Sequence, residues 1–130
     1  MALTVRTPIQ MRFSDIDSLG HANNVALQMY FDLGKTDLFK ELKRLTCEAD
    51  EISAMVVSLN TEFYEQVFYS DNVVVETQIE SIGNKSLHLV QRLLSGEQLC
   101  CLSRTVLVCY NPQTRQSIPV PTEWREYVAG

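Results

Sequence analysis

The sequence predicts an α+β domain in which one long helix packs against an antiparallel sheet of five or six strands. Three observations predict it. A single amphipathic run of helical period occupies Val25 to Leu42, four or five β-rich segments follow it, and no second helical run of comparable length appears. At 130 residues with 45% hydrophobic content, residues 1–130 suit one domain with one core. No internal repeat, low-complexity tract or linker-like shift in composition divides the chain.

The first element is an alternating segment from Val5 to Phe13, read as a strand. From Asn24 the pattern turns helical. Leu27, Tyr30, Phe31, Gly34, Leu38 and Leu42 fall on one face, and Gln28, Asp32, Lys35, Lys40 and Lys43 on the other, so the helix is expected to end near Leu42. Gly34 inside a helix costs about 1 kcal/mol relative to Ala, and its expected use is close approach of the helix backbone to the sheet. Arg44 to Glu51 reads as a connection.

Ala54 to Phe63 is rich in β-branched and apolar residues, and Val73 to Ile82 alternates with Glu76, Gln78 and Glu80 outward. Gly83-Asn84 turns the chain into a strand over Ser86 to Leu94, and Ser95-Gly96 into a long strand from Gln98 to Tyr110. After Asn111-Pro112, any last strand is confined to a short edge piece at Arg115 to Ile118 by Pro119 and Pro121. Thr122 to Val128 is expected to form one helical turn.

Charge and composition narrow the function. A net charge of −5 opposes a nucleic-acid surface. No basic segment followed by an apolar one opens the chain, and no apolar run approaches the roughly 20 residues that span a bilayer, so a soluble cytoplasmic protein is expected, with no membrane partner. The four cysteines, Cys47, Cys100, Cys101 and Cys109, lack Cys-x-x-Cys spacing and read as reduced, mostly buried thiols, with Cys100 and Cys101 on opposite faces of a strand.

The chemistry concentrates in Asp15-Ile16-Asp17-Ser18-Leu19-Gly20-His21-Ala22-Asn23-Asn24, where the first strand hands over to the helix. Asn23 or Asn24 can cap the helix, and the carboxylates suit a turn. A calcium loop fails, because Leu19 and Ala26 stand where ligands are needed. A transition-metal site lacks ligands, since the other histidine, His88, lies on a distant strand, where it reads as a hydrogen-bonded structural residue. A Cys-His hydrolase lacks a base placed near any thiol. Beside the reading as a plain turn and cap stands hydrolysis of an activated acyl group: a carboxylate can attack a carbonyl or activate water, while N–H groups at a helix start stabilise the oxyanion.

With that motif and element order, the chain resembles the hotdog-fold thioesterases of the 4-hydroxybenzoyl-CoA thioesterase type, in the branch that carries Asp-x-Asp-x-x-Gly-His-x-Asn-Asn before the central helix. The likeness covers nearly the whole chain, including the passage from Phe63 to Asn72 into Val73-Val74-Val75-Glu76-Thr77. It implies a hotdog fold, Asp17 as catalytic nucleophile or general base on an acyl-CoA or acyl-carrier-protein thioester, and Asp15 as a structural residue. It further implies His21 beside Asp17; the mechanism then places the thioester carbonyl on the backbone N–H of Asn24 or its neighbour at the helix start, with Gly20 and Asn23 expected at the substrate. No metal or organic cofactor is implied, and units of this kind pair as homodimers or homotetramers with sites between them. Plant acyl-carrier-protein thioesterases, which are similar here, place an asparagine where this chain has Leu19. Leu27 stands at a usual aromatic, and Gln66 and Ser70 stand at a frequent proline and glycine. The motifs of the dehydratase branches of this fold are absent.

Among the remaining cations, Lys85, Arg92, Arg104 and Arg115 read first as solvated strand charges. Lys85 with Ser86 is the preferred pair for substrate phosphates, because a turn before a strand also offers backbone N–H groups. Two other function classes stay open: a non-catalytic acyl-thioester-binding or assembly module, and an isomerase or lyase using Asp17 as a base next to a thioester carbonyl. Stoichiometric release of free thiol separates the hydrolase from both.

Overall fold

In the computed structural model, residues 2–46 and 52–129 are described. Cys47 and the rest of 47–51, the second half of the expected connection, lie outside them. Strand β1 spans Thr4–Ile9, helix α1 Asn24–Thr46, and strands β2 to β5 span Ser53–Phe63, Val73–Ile82, Ser86–Ser95 and Gln98–Tyr110. The strands form one five-stranded antiparallel sheet under a single long helix, as the hotdog resemblance implies, and their order is β1-β3-β4-β5-β2. No helix among the described residues is long and apolar enough to cross a membrane.

The boundaries of β3 and β5 fall where turn residues and alternation put them, and three expectations shift. The first strand stops at Ile9 rather than Phe13, because Ile9 pairs with Val73, the first residue of β3, and beyond it β1 has no partner. Phe13–Asp15 instead forms a short 3₁₀ helix. Helix α1 runs one turn past Leu42. Lys43 and Arg44 suit a helix C-terminus, and the Thr46 hydroxyl donates to the Leu42 carbonyl (2.7 Å) and accepts from the Trp124 indole N–H (3.4 Å). The last turn thus leans on a residue far along the chain. Finally, Arg115 to Ile118 makes only an isolated bridge, Tyr110 to Ser117. Strand β5 already has β4 on one side and β2 on the other, so no edge is left there for a sixth strand. The expected terminal turn is a 3₁₀ helix, Thr122–Tyr127, with Trp124 buried.

Helix α1 lies over β1, β3 and β4, and all six residues of its predicted apolar face are buried. They divide between two clusters. Leu27, Tyr30 and Phe31 pack with Val67, Val73, Val75, Leu93, Cys100 and Cys101, whereas Leu38 and Leu42 pack with Ile79, Leu87, Leu89, Leu107 and Trp124. Buried Thr77, Gln91 and Ser103 pair across neighbouring strands in the same layer. Gln91 Nε2 donates to the Phe31 carbonyl (2.7 Å) and to Thr77 Oγ1 (3.1 Å). A Cβ on Gly34 would come within 2.7 Å of Val75 Cγ1 and 2.8 Å of Thr77 Oγ1. On an exposed helix, Gly→Ala would stabilise by about 1 kcal/mol. Here the collision outweighs that gain, and Gly34→Ala is expected to destabilise by about 1–3 kcal/mol in urea titration. Equal or greater stability would mean that the helix lifts from the sheet at little cost.

Cys100 and Cys101 are both buried although neighbours on a strand, because the chain leaving β2 folds back over Cys100: the Tyr64 and Glu65 N–H groups donate to its carbonyl at 2.8 and 3.1 Å. That return segment also forms a wall of the pocket described next.

Candidate active site

The motif folds as a closed turn. Ile16 and Ala22 form an antiparallel bridge, the Asp17 N–H donates to the His21 carbonyl (3.1 Å), and the Gly20 N–H donates to the Asp17 carbonyl (3.0 Å). Gly20 has φ +91°, a left-handed conformation that glycine adopts without the Cβ penalty of other residues. Beyond the turn, the Ala22 N–H donates to the Val67 carbonyl (2.7 Å), tying the loop to the segment after β2.

The two aspartates have different fates. Asp15 is 2% exposed. Its Oδ2 accepts from the Tyr30 hydroxyl (2.5 Å) and the Arg12 backbone N–H (3.0 Å), and its Oδ1 from Arg12 Nε and Nη2 (3.1 and 2.9 Å). Burial by itself would raise this carboxyl, but the hydrogen bonds from Tyr30 and Arg12 outweigh it and hold the group below its ordinary value. The same contact and the burial of its ring push the Tyr30 phenol upward. Asp15 is therefore an ionised, fully engaged brace, the structural part expected of it. Asp17 is half-buried and lines a pocket. Its Oδ1 accepts from the Leu19 N–H (2.9 Å), and its second oxygen has no hydrogen-bond partner among the described residues.

Asn23 is the cap: its Oδ1 accepts from the Ala26 N–H (2.8 Å), and its Nδ2 and N–H both donate to the Asp15 carbonyl (3.2 and 3.0 Å). The helical ladder opens with the Leu27 N–H on the Asn23 carbonyl. Of the four N–H groups that a helix start leaves over, those of Asn23 and Ala26 are thus used. Those of Asn24 and Val25 take no partner among the described residues. Unpartnered N–H groups at a helix start are able to bind an anion.

Asp17, His21, Asn23, Asn24 and Leu27 share a cavity of about 570 Å³ with Phe63, Tyr64, Glu65, Gln66 and Val67. His21 stands edge-on to Phe68, centroids 6.5 Å apart, with Nδ1 3.4 Å from the Ala22 carbonyl oxygen. Gly20 shapes the turn but does not line the cavity, and Leu19 points to solvent, 77% exposed. The Phe63–Val67 wall was not among the residues predicted for the site. Its signal lies in a long-range hydrogen bond, Ala22 to Val67, which no local pattern carries.

Lys85 and Ser86 are not brought to this cavity within one chain. They sit in the β3–β4 turn beside Val108 and Cys109, while the cavity lies near Cys100 and Cys101, eight residues away along β5 or about 26 Å. Lys85 Nζ donates to Ser117 Oγ (3.3 Å), and Ser86 Oγ lies 3.3 Å from His88 Nε2, which gives His88 a local partner. The described thiols, Cys100, Cys101 and Cys109, are buried, and burial raises all three, Cys101 to about 12, so none is a ready thiolate nucleophile.

Comparison with known proteins agrees with this architecture. A predicted thioesterase from Bacillus stearothermophilus superposes with a TM-score of 0.85 at 27% identity, covering 98% of both chains. The protein YsmA of Bacillus subtilis is 26% identical over 91% of this chain and 80% of its own length. The acyl-CoA thioester hydrolase YbgC of Escherichia coli is 22% identical over 82% of each. Residues 11–128 match the thioesterase-like superfamily, and with the match spanning nearly the whole sequence, the chain belongs to that superfamily.

Proposed function

We propose that the chain hydrolyses acyl thioesters of coenzyme A or of acyl carrier protein to a free acid and a free thiol, with Asp17 as the reacting carboxylate. Membership of the thioesterase-like superfamily and likeness to an acyl-CoA thioester hydrolase support thioester hydrolysis as its chemistry. The observation that carries the assignment to Asp17 is a division of labour. Asp15 is consumed by four hydrogen bonds, whereas Asp17 keeps an oxygen free in a cavity that also contains Asn24, at the start of the helix.

The carbonyl oxygen accepts from the Asn24 or Val25 N–H groups, which stabilise the negative charge that grows as the tetrahedral intermediate forms. Asp17 either attacks the carbonyl carbon itself, expelling the thiolate to leave a mixed anhydride that water then hydrolyses to the free acid and the Asp17 carboxylate with the released proton going to the thiolate, or takes a proton from a water that attacks the carbonyl carbon. In the water route the intermediate collapses by breaking the C–S bond, and the proton held by Asp17 passes to the departing thiolate. His21, on the same cavity wall, orients water or the thioester. The test is a thiol-release screen over a panel of acyl thioesters with Asp17→Asn alongside. Substrate binding without free thiol would favour the non-catalytic module, and conversion without thiol release the isomerase or lyase.

The working form is an oligomer, a homodimer or homotetramer. Strand β2 is an eleven-residue edge strand with Met55, Val56, Val57, Leu59 and Phe63 exposed. Val25, Met29 and Leu33, four residues apart on α1, continue the apolar surface. Long apolar edges are aggregation sites unless covered, and a second copy supplies a self-complementary cover by antiparallel β2–β2 pairing. Such pairing sets the Ser53 end of one sheet beside the Phe63 end of the other. It thereby turns the Lys85–Ser86 side of one copy toward the pocket of the other, where those residues can meet substrate phosphates. The protein is expected to sediment as a dimer or larger, and Val57→Lys, which places a charge on the edge, to yield monomer with little turnover. A fully active monomer at assay concentration rules out shared sites.

A further inference from the structure

The cleft between α1 and β2 continues past the site and is interrupted by one hydrogen-bonded bar. Gln28 Nε2 on the helix donates to Thr61 Oγ1 on β2 (2.7 Å), and Thr61 Oγ1 lies 3.1 Å from Ser103 Oγ on β5. On one side is the cavity of Asp17, Asn24, Leu27 and Phe63; on the other is a second cavity of about 360 Å³ that Val25, Met29, Phe31, Val56 and Leu59 line together with Gln28 of the bar itself and the Asp32–Lys35 ion pair. The order along β2 makes the partition explicit. Phe63, Thr61 and Leu59 alternate along one face of the strand, opposite Cys101, Ser103 and Thr105, so Thr61 stands between the residue that lines the first cavity and the residue that lines the second. On the helix, Gln28 stands one turn beyond Asn24.

We infer that the Gln28–Thr61 bar determines acyl-chain specificity, restricting the enzyme to short acyl groups, and that the cavity behind it, which a second copy paired on β2 would roof over rather than fill, is the space a longer chain would occupy. This rests on the hydrolase reading above. In this proposal the acyl chain leaves a thioester carbonyl held by the Asn24 or Val25 N–H groups along the cleft and meets Gln28, about 6 Å along the helix axis from Asn24 at 1.5 Å per residue. That span holds an acyl group of a few carbons. A longer chain must separate Gln28 from Thr61, leaving an amide and a hydroxyl without each other in a half-buried cleft, and it gains the second cavity only after doing so. A site that must break a polar contact to admit a substrate discriminates more sharply than an apolar wall of equal size.

The experiment is a kcat/KM profile over straight-chain acyl-CoA thioesters from two to twelve carbons, for the wild type, Gln28→Ala and Thr61→Val. Alanine is a strong helix former and valine suits a strand, so both variants are expected to keep the fold, checked by circular dichroism and sedimentation. The wild type is expected to fall steeply after the first few carbons. Gln28→Ala should raise the ratio of long-chain to short-chain kcat/KM at least tenfold. Thr61→Val, which removes the acceptor but keeps its bulk, should shift it in the same direction by less. A wild type that prefers long chains, or a folded Gln28→Ala with the wild-type profile, overturns the bar while leaving hydrolysis standing. No thiol release from any chain length by any of the three proteins overturns the hydrolase reading and the bar with it.

Discussion

Asp17→Asn is expected to lower kcat by about 10² to 10⁴, the range for loss of a positioned acid–base group, with the fold intact. The amide keeps an oxygen that can accept from the Leu19 N–H, so the turn closed by Gly20 and His21 has no reason to open. What is lost is the charge and basicity of the oxygen that has no partner in the cavity. KM should change less than kcat, because in the proposed mechanism the carbonyl is held by helix N–H groups and not by Asp17. Steady-state kinetics on any thioester that the screen identifies, with circular dichroism as the check on folding, settles the outcome. Asp15→Asn must serve as the comparison: an equal loss of kcat in both variants, each folded, would mean that the division between a bracing and a reacting carboxylate is wrong.

Asp15→Asn is expected to lose stability first, by about 2–3 kcal/mol at pH 7, from the cost of leaving hydrogen-bonding groups of a buried polar cluster unpaired. An amide at this position presents one oxygen and one NH₂ where the Tyr30 hydroxyl and the Arg12 guanidinium and N–H all donate. The Arg12 side chain is 60% exposed, so its charge contributes less than the geometry suggests, and most of the loss belongs to buried Tyr30 and to the loop backbone. The pH dependence carries a definite sign. The folded carboxyl of Asp15 is held below its ordinary value of 3.8, so the unfolded chain takes up the proton first. Its contribution is present above about pH 4 and is lost as pH falls through the folded value. Urea unfolding from pH 7 downward should therefore show the wild type and Asp15→Asn far apart at neutral pH and converging in acid. A gap that stays constant below pH 4 would mean that the ionised form of Asp15 contributes nothing.

The outlines of this molecule were legible because they are local. Six positions of helical period marked the buried face of α1, alternation placed β3, and the turns at Ser95-Gly96 and Asn111-Pro112 bounded β5. The motif at the helix start also reads locally, since capping by Asn23, the left-handed turn at Gly20 and the presence of two carboxylates are decided within ten residues. Errors occurred where a distant partner decides. Alternation continues to Phe13, yet β1 stops at Ile9 because β3 begins at Val73; α1 gains its last turn where Trp124 meets Thr46.

By itself the sequence determined the element types, the single helix face and the motif, because side-chain periodicity and backbone preference act over a few residues. Only the tertiary structure decided the hydrogen bonding that sets the two carboxylates apart. Tyr30, in the second turn of α1, reaches back to Asp15, whereas Asp17 keeps an oxygen to spare. Tertiary structure also set Phe63–Val67 as the facing wall, removed Lys85 and Ser86 to the far end of the sheet, and drew Gln28, Thr61 and Ser103 into one bar. The physical reason is common to all four. Hydrogen bonds between residues tens of positions apart depend on strand order and register, and these are set by which apolar faces bury one another, a property of the whole chain rather than of any window along it.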